Sequence, residues 1–186
     1  AGYFGGWVDE VLMRFTEILM SIPSFYLLIS LAAVLPGDIN PNFRYMLIII
    51  ILSFLGWPGM SRVIRGMTMG MKSTEYVEAA IALGFPPSKI IWRHMLPNTM
   101  TFVIISATLS IPSYILGEAS LSFLGLGISE PGASWGLMLS QAQSIEALTN
   151  YPWLLLPGLF IGMTTMAFNL FGDAIRDALD PRALGH

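Results

Sequence analysis

The chain has 186 residues, of which 54% are hydrophobic and 11% charged, with a mean hydropathy of +0.67 and a formal net charge of −3. Soluble domains carry about 25% charged residues, so this is the composition of an integral membrane protein or a large piece of one. The small charge and the lack of a basic tract give no reason to expect nucleic acid. The absence of cysteine excludes disulfides, thiolate metal sites and thiol nucleophiles.

The N-terminal residues, Ala1 to Glu10, offer neither a signal peptide nor a start-methionine context. Position 1 is expected to be an internal cut in a longer protein. Apolar runs then follow at 18–35, 46–63, 100–116 and 153–170, each near the roughly 20 residues a helix needs to cross the hydrocarbon. The expected fold is all-α and transmembrane, with about four spanning helices. The second run must continue through Pro58 to reach full length, and Pro23, Pro112 and Pro157 put similar breaks in the others. Helices kinked this often suit a moving pathway, although prolines are also simply commoner in membrane helices.

Eight of the nine basic residues fall at the two ends, at the very end of the second run or between the second and third runs: Arg14, Arg62, Arg65, Lys72, Lys89, Arg93, Arg176 and Arg182. Only Arg44 falls on the other side, and the stretch 127–151 holds Glu130 and Glu146 but no Lys or Arg. The positive-inside rule therefore puts both ends and the 64–97 loop in the cytoplasm.

Within that loop, Ser73 or Thr74 can cap a helix whose first turn holds Glu75 and Glu78, matching the positive end of its dipole. Tyr76, Ala79, Ala80 and Leu83 fall on one side at helical spacing, and the alanines leave a surface that another protein can approach closely. Gly84 stands where a left-handed C-terminal residue is wanted. Pro86 and Pro87 suit the entry of a second helix, 88–95, which carries Ile90, Ile91 and Trp92 towards the membrane surface and is expected to close at Pro97. A polar helical hairpin between two spans is a natural grip for a second protein. An amphipathic hairpin lying in the lipid headgroups is the other reading, against which stand Glu75 and Glu78, facing an anionic leaflet, and the small apolar area of the alanine side.

Glu118, at the outer end of the third run, either marks the aqueous end of its helix or lines a transport route. His94 is alone apart from the terminal His186, so no metal site or haem is expected there. It is expected to be a polar residue at the cytoplasmic surface. Gly125-Leu126-Gly127 is too short for a nucleotide loop, and no Walker motif is present. Asp173, Asp177 and Asp180, interleaved with Arg176 and Arg182, read as a solvated helix face. Gly158 and Gly162 form a weak signal for close helix packing. A secondary transporter would show ionisable residues within its spans, and a membrane enzyme would show a catalytic constellation. Paired intramembrane histidines would mark an electron-transfer subunit. The residues show none of these, and a membrane-anchored scaffold remains as a bland alternative.

Glu78-Ala79-Ala80, three residues, Gly84, eleven residues and Leu96-Pro97 resemble the EAA loop of permease subunits in bacterial and archaeal binding-protein-dependent ABC importers. That family commonly has an apolar residue where this chain has His94. Arg93-His94-Met95-Leu96-Pro97-Asn98 is instead similar to the version found in the dipeptide, oligopeptide and nickel branch. The likeness extends through Gly6-Trp7-Val8-Asp9, Ile22-Pro23-Ser24, the segment from Glu118 to Gly127, Ser134-Trp135-Gly136 and the segment from Asn169 to Arg182.

The resemblance implies one partial permease domain over 1–186, the C-terminal part of a six-helix type I importer permease, second of a pair. The coupling loop would lie within 64–97. It implies that Tyr76, Glu78, Ala79, Ala80, Leu83 and Gly84 dock on a separate ATPase subunit, and that Glu118 is a candidate for the translocation pathway. It further implies a second homologous permease, an extracytoplasmic binding protein, a place in the bacterial or archaeal cytoplasmic membrane, and no cofactor, metal or catalytic residue of its own. The expected cargo is a di- or oligopeptide, with nickel or another small solute as the alternative.

Overall fold

The structure, a computed structural model, describes residues 1–36 and 39–179. Asp180, Arg182 and His186 lie outside the described residues. Regular structure among the described residues is entirely helical: α1 (Gly6–Ser21), α2 (Ser24–Ala33), α3 (Pro41–Lys72), α4 (Glu75–Ala82), α5 (Pro87–Ile90), a π-helical turn (Ile91–Met95), α6 (Leu96–Phe123), α7 (Trp135–Ser140), α8 (Ile145–Asn150), a 3-10 turn (Pro152–Leu155) and α9 (Leu156–Leu179). Three helical stretches are long and apolar enough to cross a membrane, Pro41–Lys72, Pro87–Phe123 and Pro152–Leu179, and α1 with α2 makes a fourth if that broken pair is one span. This is the all-α membrane fold expected, with about four spans.

The prolines behave differently from one another. Pro23 does break its run: Ile22 is driven to φ −91°, ψ 127°, the extended backbone forced on a residue before proline. The first apolar run is therefore two helices, and α1 begins well upstream of it at Gly6. Pro58, through which the second run was expected to continue, lies inside a continuous helix, and so does Pro112, expected as a break. Both are buried, whereas Pro23 is exposed. Close neighbours around a proline stabilise the turn that has lost a hydrogen bond. Pro157 sits at the second position of α9, directly after the 3-10 turn, and does not break the stretch Pro152–Leu179.

The residues gather into two compact units. Of the described residues, one comprises 1–22, 56–107 and 176–179; the other comprises 23–36, 39–55 and 108–175. The first unit is centred on Val77, Ala80, Ile90 and Met95, with Tyr3, Met71, Phe85 and Ile91 packed against them. Within it Arg65 of α3 donates two hydrogen bonds to Asp9 of α1, one to each carboxylate oxygen, a bidentate geometry that fixes both position and orientation.

The second unit has its core in Leu28 and Ala32 of α2, Ile48 and Leu52 of α3, and Leu121 of α6. There Gly136, in the first turn of α7, touches α6 so closely that a Cβ would lie 2.2 Å from the Ala119 carbonyl oxygen. Arg44 is 7% exposed and donates to the carbonyls of Pro36 at 3.2 Å and Leu126 at 3.0 Å. It clips the segment before α3 to the turn after α6.

Candidate functional site

Thr74 takes the N-cap position of α4 with an extended backbone, φ −86° and ψ 144°. Its hydroxyl turns back to donate to the Met71 carbonyl at 2.6 Å, which ties the start of α4 to the end of α3. Glu75 and Glu78 occupy the first turn, where the helix dipole favours negative charge. Val77 and Ala80 are 0% and 2% exposed and face Ile90 and Met95. Tyr76, Glu78, Ala79 and Leu83 stand on the exposed surface, Leu83 at 73%. Ala80 therefore departs from the expected one-sided set. It belongs to the underside of α4, and Val77 is its inward partner. An eight-residue helix is too short for its apolar spacing alone to choose the buried face.

The end of α4 is set by backbone chemistry. Gly84 has φ +73°, its N–H bonds to the Ile81 carbonyl at 2.9 Å, and the Phe85 N–H bonds to the Ala80 carbonyl at 3.1 Å. These are the two bonds of a Schellman turn, which requires a left-handed residue and gives glycine its advantage. Phe85 then packs against the cluster beneath α4, and Pro86 leads into α5.

The second helix of the loop was expected over 88–95, ending at Pro97. Instead Pro87–Phe123 is one uninterrupted helical stretch, and Pro97 lies in the first turn of α6. The Leu96 N–H reaches back five residues to the Ile91 carbonyl, so the π turn takes up one additional residue just before the proline. The Asn98 side chain donates to the His94 carbonyl at 2.6 Å, supporting the turn in which the proline donor is missing. Ile90 and Ile91 do not face lipid as expected but pack under α4, while Trp92 remains 72% exposed.

His94, expected at the surface, is half-buried between rings. It stacks on Phe85 with centroids 6.3 Å apart and lies 6.4 Å from Tyr76. Asn98 Nδ2 also lies 3.3 Å from the Tyr76 hydroxyl, so Tyr76, His94 and Asn98 join α4 to the start of α6. Lys89 sits 4.0 Å over the Phe85 ring, a cation–π contact on the outer side of the turn.

Glu118, in the other unit, is half-buried on α6 and accepts a 2.6 Å hydrogen bond from the Ser122 hydroxyl. Ser122 is fully buried and itself accepts from the Ile128 N–H at 2.9 Å. Glu118 lines a cavity of about 650 Å³ together with Tyr45, Tyr114 and Trp135. The sequence marked Glu118 but gave no sign of Tyr45 and Trp135 near it, because they come from α3 and α7. Asp173, Arg176 and Asp177 are exposed on α9. A Cβ at Gly162 would meet nothing within 4 Å, and one at Gly158 would touch Leu139 at 3.6 Å. Among the described residues no three His, Cys, Asp or Glu side chains gather to hold a metal.

A membrane protein whose spans are interrupted by a packed helical hairpin is thereby defined, and comparison with known proteins gives its class. Over residues 1–185 the chain matches the family described as the binding-protein-dependent transport system inner membrane component, and it belongs to that family. It is 42% identical to the oligopeptide transport system permease protein OppC of Bacillus subtilis, over 98% of this chain and 57% of that protein. It is also 42% identical to the dipeptide transport system permease protein DppC of the same organism, over 98% and 55%. With the OppC of Escherichia coli (strain K12) it shares 44% identity over 96% and 57%. The chain thus spans a little over half the length of these relatives.

Proposed function

We propose that the chain is the C-terminal part of a membrane-embedded permease subunit in an ATP-driven importer of di- or oligopeptides, with ATP hydrolysis carried out by a separate subunit. The observation that carries this reading is the build of α4. Val77 and Ala80 pin it from below, a Schellman turn and the Thr74 contact fix its two ends, and Tyr76, Glu78, Ala79 and Leu83 are left facing outward. A helix held this way moves as a unit when pushed, which a headgroup-bound hairpin has no need to do. The names of the relatives support the peptide cargo.

In this reading the ATPase grips the outward face of α4. The equilibrium between inward- and outward-open states then shifts by the difference in binding energy between the two ATPase states. The distribution of basic residues supports a cytoplasmic position for the 64–97 loop and both ends. A second homologous permease and an extracytoplasmic binding protein complete the assembly, and Gly162, open on its side of α9, is a contact for the second permease.

These 186 residues hold no cysteine, so once any thiol elsewhere in the complex is removed, one introduced at Leu83 reports its surroundings cleanly. In the full-length assembled complex, Leu83→Cys is expected to cross-link to the ATPase subunit, and proteoliposomes are expected to take up tri-alanine only with ATP on the ATPase side. Uptake that persists without the ATPase, or a Leu83→Cys cross-link confined to lipid, overturns the reading.

A further inference from the structure

The cavity beside Glu118 has an unusual composition for its size. Among the described residues one carboxylate lines it, with the aromatic residues Tyr45, Tyr114 and Trp135, and no Lys or Arg does. The rest of its wall is largely apolar, Ile111 and Met138 included. Glu118 is not free to turn away, because one of its oxygens is held by Ser122, and Ser122 is fixed in turn by the Ile128 N–H. A half-buried carboxylate with aromatic neighbours presents negative potential from both the charge and the ring faces. Groups of this kind bind ammonium ions.

We propose that this cavity is a site for a primary ammonium group, and that its occupant is the amino terminus of a peptide with its first side chain against the apolar wall. The inference rests on the importer reading for its peptide but not for its charge selectivity. A single carboxylate makes a poor site for a bare divalent metal, which takes several oxygen or nitrogen ligands. It makes a good one for an organic cation whose carbon skeleton also needs covering. The volume, about 650 Å³, is within the range of small-molecule pockets. The same chemistry is offered by the ethanolamine headgroup of a phospholipid, so a test must separate the two sources.

Met138 lines the cavity and is 45% exposed, and these 186 residues hold no cysteine. Met138→Cys in the full-length complex, with every other part of it free of reactive thiols, can be labelled in nanodiscs made only of phosphatidylglycerol. The measurement is the ratio of reaction rates for a cationic (trimethylammonium) and an anionic (sulfonate) methanethiosulfonate. Glu118→Gln, which keeps an acceptor for Ser122, is expected to lower that ratio by about tenfold. Tri-alanine is expected to slow labelling in the Glu118 protein, while N-acetyl-tri-alanine at equal concentration does not.

A ratio unchanged by Glu118→Gln, or no labelling by either reagent, overturns the site. Equal effects of the free and acetylated peptides overturn the ammonium assignment, as does slowing by nickel(II) alone. If adding phosphatidylethanolamine slows labelling and tri-alanine does not, the occupant is lipid and the peptide assignment falls. ATP-dependent uptake of tri-alanine, measured on the same complex without the introduced cysteine, keeps the two proposals apart. Uptake with no charge preference sinks the site alone, and charge preference without uptake sinks the peptide-importer reading alone.

Discussion

Replacing Gly84 isolates the turn at the end of α4 from every other feature of the loop. Its φ is +73°, and a Cβ built there would meet nothing within 4 Å, so alanine brings no clash inside the chain. What remains is the conformational penalty of a left-handed residue with a side chain, roughly 1–2 kcal/mol. That is a factor of about 5–30 in the equilibrium between the closed turn and an opened one. Asparagine tolerates the left-handed region better than alanine, and β-branched valine worse.

The expected order of turn stability is therefore Gly84, Gly84→Asn, Gly84→Ala, Gly84→Val. The amide of Phe85, bonded to the Ala80 carbonyl at 3.1 Å, reports the turn directly through hydrogen exchange. Retention of the ATPase on purification and ATP-driven tri-alanine uptake should fall in the same order. If Gly84→Asn proves as damaging as Gly84→Val while Gly84→Ala is mild, the glycine is there for space at a docked interface. The conformational argument would then be wrong.

Other substitutions separate the two faces of the loop and the joints around it. Ile90→Ala empties the cluster under α4, where Ile90 is 1% exposed, and should destabilise the loop by roughly 2–5 kcal/mol, seen as faster exchange across α4. Leu83→Ala should change stability by less than about 0.5 kcal/mol yet weaken ATPase retention. An equal loss of loop stability in both would erase the distinction between the faces. Gly136→Ala places a methyl against the Ala119 carbonyl and should destabilise by at least about 1–3 kcal/mol, lowering the melting temperature of the detergent-solubilised protein. Asp9→Asn and Arg65→Lys should each lower that temperature, and the double variant should lose less than the sum. Strict additivity would show that the two side chains are not energetically paired.

The features legible in the sequence were those set by local backbone chemistry. Gly84 ends α4 as expected, because a left-handed stop acts within a few residues of itself; Thr74 takes the N-cap position, but its hydroxyl bonds back to Met71 and not into α4. The apolar runs were legible too, though not their ends. What could not be read was anything that depends on neighbours. Pro23 and Pro112 both interrupt apolar runs, yet the exposed Pro23 ends a helix and the buried Pro112 lies inside one. Val77 was passed over as the inward residue of α4 because its partners, Ile90 and Met95, come from the next helix. Arg44 looked like an ordinary basic residue in a loop, yet it is buried against two backbone carbonyls. Glu118 could be marked from its position, and Tyr114 stands one turn before it on α6, whereas Tyr45 and Trp135 reach the same cavity from two other helices that no spacing rule connects.

The π turn at Ile91–Met95 has a rotational consequence. Each residue of an α-helix advances the chain by about 100° around the axis and 1.5 Å along it. A π turn holds one residue beyond what the α register needs, so removing a single residue from 91–95 would let the stretch close as plain α-helix. Because the turn absorbs its additional residue locally, the helix on either side would keep its α phase, and the α4 handle would point as before. The same deletion in the plain α-helix that follows would instead swing the handle by about 100° about the axis of α6. The π turn is thus a place where this stretch can lose a residue without re-aiming the handle.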